Sequence, residues 1–532
     1  MAGGGRRRGA PALRVAAVLL SGALYGAAFP PLGLQCLAWI ALAPLLLALR
    51  GAGVGGTLGL MWLWAMVASY TAGHWLPGAV ETYYLQPAWV GWLFFFGIST
   101  LNAAPYYLPL GLVWRRLAPA FEGRWSYPWV AAAAWVTAEL ARGRLLNDLG
   151  VFISNPWAQL GYSQVGHPTL LQVASLTGIY GVTFALVAAN AAVADLLRRA
   201  VRGPIRAAPH WALLGAGAAP AILALAWGGV ALMRAPEPGA VGGDAASVAI
   251  VQGNIRRDAR WRSDLYGSNL EIDLELTREA VREARTDLVV WPESALTFFL
   301  ETEPGFRRSI GRVLGAGGAE LLAGGPRLEG SEASPRYFNS IFAMGPDGEV
   351  RGYYDKEKLV PFGEYFPLRS IAFLRRRFER VRVFSPGAPG ALLPTALGPA
   401  AVAICNEAML PELVARRVRA GGVFILNPSN DVWSPEPVFA EQMLDMAIVR
   451  AVEQRRWLLR ASTTGPSAIV DPWGRVVART SLGERGWIRG RIGARGDRTA
   501  YGRIGDGFAV ACAIATAGLL FRTRRTRARV SG

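Results

Sequence analysis

Lysine is almost absent from this chain: of 56 lysines and arginines only two, Lys356 and Lys358, are lysines. Histidine is nearly as scarce, and its three copies, His74, His167 and His210, all precede residue 211. A cysteine–histidine pair is therefore excluded from the remaining stretch, and few metal sites can be built there. Cysteine also occurs three times. Cys36 and Cys512 fall in apolar runs and only Cys405 lies in a polar region, which argues against a disulfide framework. What is abundant is apolar surface. The 532 residues are 52% hydrophobic and include 19 tryptophans, enough chain for two domains and too apolar for an ordinary soluble enzyme. The net charge of +18 sits in short arginine clusters beside apolar runs, a membrane pattern rather than a nucleic-acid-binding face.

A helix needs about 20 mostly apolar residues to cross the hydrocarbon core. Runs of this kind occur near 12–30, 34–49, 53–73, 88–113, 128–142, 168–195, 211–233 and 504–521, about seven before a polar region and one after it. Arg6, Arg7 and Arg8 precede the first run as they would a signal peptide, but further spans follow at once, so a retained helix is expected. With the N-terminus inside, the cytoplasmic segments carry Arg50, Arg115, Arg116, Arg124, Arg198, Arg199, Arg202, Arg206 and the arginines of the tail from Arg522 to Arg529. The outside loop 74–87 has no basic residue, whereas 142–167 carries Arg142 and Arg144. This positive-inside pattern predicts that residues 234–503 lie outside the cytoplasm. A transporter would need ionisable groups within the spans, and few are present apart from Glu139.

From about 244 the pattern changes to strands alternating with helices. "SVAIVQGN", "DLVVWPES", "PAAVAIC" and "VFILNPS" read as buried strands. Residues 263–285, "LPELVARRVRAGG" and 439–456 read as helices, and "YFNSIFAMGPDGEV" carries a Pro-Asp-Gly hairpin signal. The expectation is a transmembrane domain over 1–238, an α/β layered domain over 239–500, and a C-terminal span with a basic tail over 501–532.

Three reactive residues follow apolar strand runs: Glu293 after "LVVWP", Lys356 after "GYYD" and Cys405 after "AVAI". Open α/β sheets place reacting groups at strand ends. Taken singly, each has a plainer reading: core filler for the cysteine, a turn cap for the glutamate, a solvated loop for the lysines. Together, with histidine missing, they suggest a thiol nucleophile whose proton goes to a carboxylate and whose oxyanion is met by an ammonium.

"WPES" at 291–294, "YDKEKLVPFGEYFP" at 354–367 and "CNE" at 405–407 resemble the Glu–Lys–Cys triad motifs of the nitrilase, or carbon–nitrogen hydrolase, superfamily. The "LVPFGEY" version between membrane spans, with "NPWAQLGYSQ" at 155–164 and "VQGN" at 251–254, resembles the bacterial apolipoprotein N-acyltransferases. The resemblance covers nearly the whole chain. It implies a nitrilase-like αββα sandwich inserted between transmembrane helices. It implies Cys405 as nucleophile, Glu293 as general base and Lys356 as the catalytic lysine, with Glu364, Glu407 and Asn406 around them. Lys358 and Asn406 stand where relatives often have His and Tyr. Trp261 resembles an aromatic of the lipid-facing arm.

The implied reaction is ping-pong acyl transfer. A phospholipid gives its acyl chain to the thiol, and the α-amine of a diacylglyceryl-cysteine at an apolipoprotein N-terminus takes it, the last step of lipoprotein maturation. No cofactor, metal or nucleic acid is expected, and a monomer in the bacterial cytoplasmic membrane is. The basic, aromatic-bearing stretch "RSIAFLRRRFERVR", with Arg376 and Arg377, suits a phospholipid surface or else a solvated helix. The alternative is a membrane-tethered amidase or nitrilase acting on a small amide, for which eight spans are an extravagant tether. A non-enzymatic transporter or lipid-binding module is a further alternative, in which Cys405 would be dispensable.

Overall fold

A computed structural model describes residues 9–145, 155–200, 208–242, 245–255, 262–331, 333–366, 383–434 and 436–530. The chain divides into two compact units, Met1–Met233 with Ile504–Gly532, and Arg234–Arg503.

The described part of the first unit is helical: α1 (Gly9–Ala27), α2 (Ala43–Ala48), α3 (Val54–Gly73), α4 (Trp75–Tyr83), α5 (Ala88–Phe121), α6 (Tyr127–Arg144), α7 (Tyr180–Ala200), α8 (Ala208–Met233) and the C-terminal helix Gly507–Val530. Three segments, Tyr180–Ala200, Trp211–Met233 and Gly507–Arg524, are long and apolar enough to cross a membrane by length and composition. Helices α3 and α5 have the length, but glycine, tryptophan, tyrosine and proline dilute their apolar content. Two expected spans are broken. The run 34–49 forms a 3-10 turn (Gln35–Trp39) and then the short α2. The run 168–195 starts with two single-turn helices, and Gly178, at φ +65°, separates them from α7. The expected count of eight spans is thus met by three segments of sufficient length and apolarity among the described residues. Glu139 is fully buried and accepts hydrogen bonds from Trp135 Nε1 (3.1 Å), Leu160 N (3.0 Å) and Thr183 Oγ1 (2.8 Å). It therefore acts as a staple for the 155–164 loop, since a buried carboxylate needs donors on both oxygens.

The second unit contains two sheets. The first has the order β11-β1-β2-β3-β4-β5 and the second β10-β9-β8-β7-β6. The strands of the first are β1 (Ala245–Gln252), β2 (Leu288–Val290), β3 (Glu320–Glu329), β4 (Arg336–Met344), β5 (Val350–Asp355) and β11 (Gly486–Gly493). Those of the second are β6 (Ala400–Val402), β7 (Phe424–Ser429), β8 (Leu458–Ser462), β9 (Ala468–Val470) and β10 (Val476–Arg479). Strands β1, β2 and β3 pair parallel, as do β6, β7 and β8.

Period-two alternation sorts the side chains. Val248, Ile250, Leu288, Val290, Leu322 and Ile341 pack in one core with Val402, Leu426, Leu459 and Ile469 of the other sheet. The alternate residues Val251, Val289, Leu321 and Phe342 pack instead with Leu270 and Leu274 of α9 (Tyr266–Glu283) and with Ile310 and Leu314 of α10 (Pro304–Gly317). Helices α11 (Pro411–Arg419) and α12 (Pro437–Gln454) contact β6 and β8 of the second sheet. Helix, sheet, sheet, helix is the layering that the motifs implied. Helix α10 and strand β11 have no counterpart in the sequence reading. β11 joins by antiparallel pairing to β1 across more than two hundred residues, a partnership no local pattern announces.

Candidate active site

The parallel order brings the carboxyl ends of β2, β6 and β7 to functional loops, and β5 joins them. β3–β4 and β4–β5 are both antiparallel, so β5 runs in the direction of β3. Residue 293 follows β2, residue 356 follows β5, residue 405 follows β6 and residues 430–431 follow β7.

Glu293 leaves β2 through Trp291, which is fully buried and donates from Nε1 to Thr277 Oγ1 at 3.0 Å. The loop then lies directly on β3. A Cβ at Gly324 would stand 2.5 Å from Pro292 O and 2.6 Å from Glu293 Cα, so only glycine allows the approach. Glu293 Oε1 accepts from Asn339 Nδ2 at 2.7 Å, and Oε2 accepts from the backbone N–H of Asn430 at 2.8 Å. Lys356, 1% exposed, places Nζ 2.9 Å from Glu364 Oε1 and 3.5 Å from Glu293 Oε1. Asn339 Nδ2 also donates to Glu364 Oε1 at 2.6 Å, so one amide of β4 ties both carboxylates together. Glu364 Oε2 accepts the Val360 N–H at 2.7 Å, closing the loop that carries it.

Cys405 begins the 3-10 turn Cys405–Met409 at φ +48°, in the left-handed region. Ser294, beside Glu293, and Phe362, near Glu364, have φ of +58° and +62°. Such backbone costs about 1 kcal/mol or more per non-glycine residue, and here three instances fall beside the three reactive loops. Glu407 binds the Cys405 turn to the loop that carries Lys356. Its Oε1 accepts the backbone N–H groups of Glu357 (2.8 Å) and Lys358 (3.0 Å), and its Oε2 accepts that of Ile404 (2.9 Å). Tyr354 donates to the same carboxylate at 2.9 Å, and the buried Arg417 pairs with it at 3.3 Å. Asn406 donates to Lys358 O at 3.3 Å, while its buried Oδ1 has no donor among the described residues.

Charge and burial set the protonation states. Burial raises the Glu293 carboxyl; Lys356 opposes that rise, Glu364 adds to it and the Asn339 amide opposes it. Burial would strip the Lys356 proton, but Glu364, Glu293 and Cys405 together hold its affinity above the ordinary lysine value. The Cys405 thiol is pushed up to about 12 by burial and then by Glu293, with Lys356 pulling the other way. Glu407 is lowered: burial favours its neutral form, yet Arg417, the Lys358 N–H and Lys356 outweigh it. Burial thus favours the thiol form of Cys405, and the Lys356 amine stands between the Glu293 and Glu364 carboxyl groups.

Two family models divide the chain as the two units do. Residues 21–192 match the apolipoprotein N-acyltransferase N-terminal domain, and residues 247–496 match the carbon-nitrogen hydrolase domain. An apolipoprotein N-acyltransferase of Geobacter metallireducens is 32% identical over 511 residues, 95% of each chain. The chain belongs to the apolipoprotein N-acyltransferase family. The N-acyltransferase of Caulobacter vibrioides is 33% identical over 464 residues, 84% of this chain and 82% of its own. That of Azotobacter vinelandii is 31% identical over 479 residues, 89% of this chain and 88% of its own. Membership makes this chain an acyltransferase built on a carbon–nitrogen hydrolase fold, and the small-amide hydrolase reading is not favoured.

Within this N-acyltransferase fold, Glu293, Lys356, Glu364, Cys405, Asn406 and Glu407 all stand at or beside one set of strand ends. Trp261, Arg376 and Arg377 lie outside the described residues. Sequence reading passed over Asn339, Ser429, Asp431, Arg417 and Arg460. The signal for Ser429 and Asp431 was present: "NPSND" closes an apolar strand with polar residues just as "WPES" and "CNE" do. Asn339 and the two arginines sit inside an element and carry no such mark. Among the described residues no group of three or more His, Cys, Asp or Glu is arranged to hold a metal ion.

Proposed function

We propose that this protein N-acylates the N-terminal S-diacylglyceryl-cysteine of apolipoproteins with a phospholipid acyl chain, through a thioester on Cys405. The observation that carries the reading is the ammonium of Lys356, held by Glu364 and Glu293 beside a buried thiol in a unit without histidine.

In the first half-reaction the Cys405 sulfur attacks the ester carbonyl as Glu293 takes the thiol proton. The carbonyl oxygen becomes an oxyanion, stabilised by the Lys356 ammonium and the Asn406 backbone N–H. Collapse breaks the ester C–O bond, Glu293 returns the proton to the leaving alkoxide, and a lysophospholipid departs. In the second half-reaction the α-amine attacks the thioester, Glu293 takes its proton, and the thiolate leaves and is reprotonated. Glu293 works in both directions because burial raises its affinity for a proton above that of an ordinary carboxylate. Glu364 and Asn339 position Lys356 and Glu293, and Glu407 fixes the spacing of the nucleophile turn and the lysine loop. Trp261 and the arm bearing Arg376 and Arg377 serve the lipid in this reading. The protein acts as a monomer with about seven spans before the catalytic unit and one after it, the unit facing away from the cytoplasm.

Intact-protein mass spectrometry after incubation with phospholipid in detergent tests the proposal. An acyl adduct on Cys405 that a diacylglyceryl peptide with a free amine discharges is the expected result. Discharge mainly by water would make the protein a hydrolase. Absence of any adduct in folded protein with an intact thiol would overturn the thioester route.

A further inference from the structure

The ladder of the second sheet has a gap beside the cysteine. Strands β6 and β7 pair parallel with Val402 opposite Leu426, and the Ala403 N–H extends the pairing to Leu426 O at 2.8 Å. In a parallel ladder the Ala403 carbonyl would next accept the N–H of residue 428. That residue is Pro428, which has none. The side chain of Asn427 takes its place: Nδ2 donates to Ala403 O at 2.5 Å and, over a longer 3.4 Å, to Cys405 O. The amide thus holds the carbonyls on either side of Ile404, where the chain enters the left-handed conformation of Cys405.

Asn427 is aimed by its neighbour on β8. The register sets Arg460 opposite Asn427, and Arg460 Nη1 donates to Asn427 Oδ1 at 2.5 Å, which leaves the amide nitrogen for the cysteine strand. Arg460 Nη2 donates to Asp431 Oδ2 at 2.8 Å. Asp431 also accepts from Ser462 Oγ at 2.5 Å and, on Oδ1, from Ser429 Oγ at 2.7 Å. The backbone between Ser429 and Asp431 is fixed in this way, and it carries the Asn430 N–H that donates to Glu293 Oε2 at 2.8 Å. One guanidinium therefore stands behind both the cysteine turn and the glutamate. The Arg460 and Asp431 side chains are 0% and 1% exposed, and Arg460 Nε has no acceptor among the described residues. A fully buried ion pair with such a donor is poor evidence of net stabilisation, because apolar residues of similar volume often serve a core as well. Its connections give it another use.

We propose that Arg460, braced by Asp431, is a positioning residue for acyl transfer: through Asn427 and the Asn430 N–H it sets the Cys405 turn and the Glu293 carboxylate against each other. This rests on Cys405 as the nucleophile and Glu293 as the base. The role needs the fork of a guanidinium. Two nitrogens of one rigid plane reach an amide oxygen on one side and a carboxylate on the other, whereas an ammonium is a point charge on a flexible stem.

Single-turnover thioester formation on Cys405 tests this, followed by intact mass in the full-length protein in detergent at saturating phospholipid. Instability and misplacement leave different marks. Partial unfolding lowers the fraction of protein that forms the adduct, whereas misplacement lowers the rate constant in the fraction that does. Arg460→Lys keeps a positive charge beside Asp431 and should lower the rate constant about tenfold or more. Asn427→Leu keeps the Arg460–Asp431 pair and removes the bridge to Ala403 and Cys405, and it should lower the rate constant comparably. Arg456→Met is the control. Arg456 is also buried, but its hydrogen bonds go to the carbonyls of Gly422, Gln454, Arg455 and Asp497. Its loss should reduce the adduct-forming fraction and leave the rate constant at the wild-type value. A wild-type rate constant in Arg460→Lys or in Asn427→Leu would overturn the proposal. An equal fall in Arg456→Met would do the same, because the network would then act only through packing. Wild-type protein that folds but forms no thioester on Cys405 would instead overturn the nucleophile assignment on which the proposal rests.

Discussion

The two lysines of the chain, two residues apart in sequence, occupy unlike environments. Lys356 is enclosed, with Nζ 2.9 Å from Glu364 and 3.5 Å from Glu293. Lys358 offers its backbone, an N–H to Glu407 and a carbonyl to Asn406. A planar guanidinium has neither the size nor the donor geometry of the first site, whereas backbone groups are indifferent to the side chain they carry. Lys356→Arg should abolish thioester formation in protein that still inserts and folds, and Lys358→Arg should retain a substantial part of it, both read by adduct mass. Carboxylate coupling gives a pH prediction. The acid limb of thioester formation follows Glu293, which must be ionised to accept the thiol proton, and its raised affinity puts that limb above the pH of an ordinary carboxylate. Glu364 contributes to the rise as a like charge. Glu364→Gln should therefore move the limb to lower pH while reducing the plateau, because Lys356 loses its shorter partner. A limb that moves up or stays would contradict the coupling.

At the scale of elements, the site is a set of loops clamped by residues in neighbouring strands and helices. Gly324 of β3 lets the Pro292–Glu293 loop lie flat on the sheet. Gly324→Ala forces the loop to shift, at about 1–3 kcal/mol. The expected result is a modest fall in melting temperature with a disproportionate loss of thioester formation. Arg417 of α11 serves the opposite loop. Its guanidinium donates to Val402 O, Tyr354 Oη, Glu357 and Glu407 and stacks 4.6 Å from the Tyr354 ring. Arg417→Met leaves Glu407 buried without its counter-charge and should destabilise the catalytic unit by about 3–5 kcal/mol, measurable in chemical denaturation. Apolar alternation made most strands and helices of this unit legible, because one face of each is buried and period two or 3.6 follows directly. It could not reveal β11, whose burial pattern is only partial and whose partner β1 is remote. The clamping residues were illegible for a related reason: a buried Asn or Arg reads as a fault in the apolar pattern until its partners on other strands are known.

For the molecule as a whole, arginine asymmetry predicts an orientation that a labelling experiment can check. In a background without Cys36 and Cys512, and with Cys405 replaced, Ser268→Cys should react with a membrane-impermeant maleimide from outside. Arg529→Cys should react only after permeabilisation. The reverse pattern would invert the topology. Span counting is less direct from sequence. Gly178 breaks one apolar run, and another divides between a 3-10 turn and a six-residue helix. Runs of apolar residues record the solvent a segment can tolerate but not whether it continues as one helix.

The sequence by itself determined the division into an apolar helical unit and an α/β unit, and which side chains are candidates for the reacting groups. Composition sets which surfaces can be buried, and a chemistry without histidine leaves few alternatives to Glu, Lys and Cys. Tertiary structure alone decided which of two lysines is enclosed, which amide ties two carboxylates together, and which arginine pairs with Glu407. Those outcomes depend on distances between strands far apart in the chain, and such distances are set only when two sheets pack face to face.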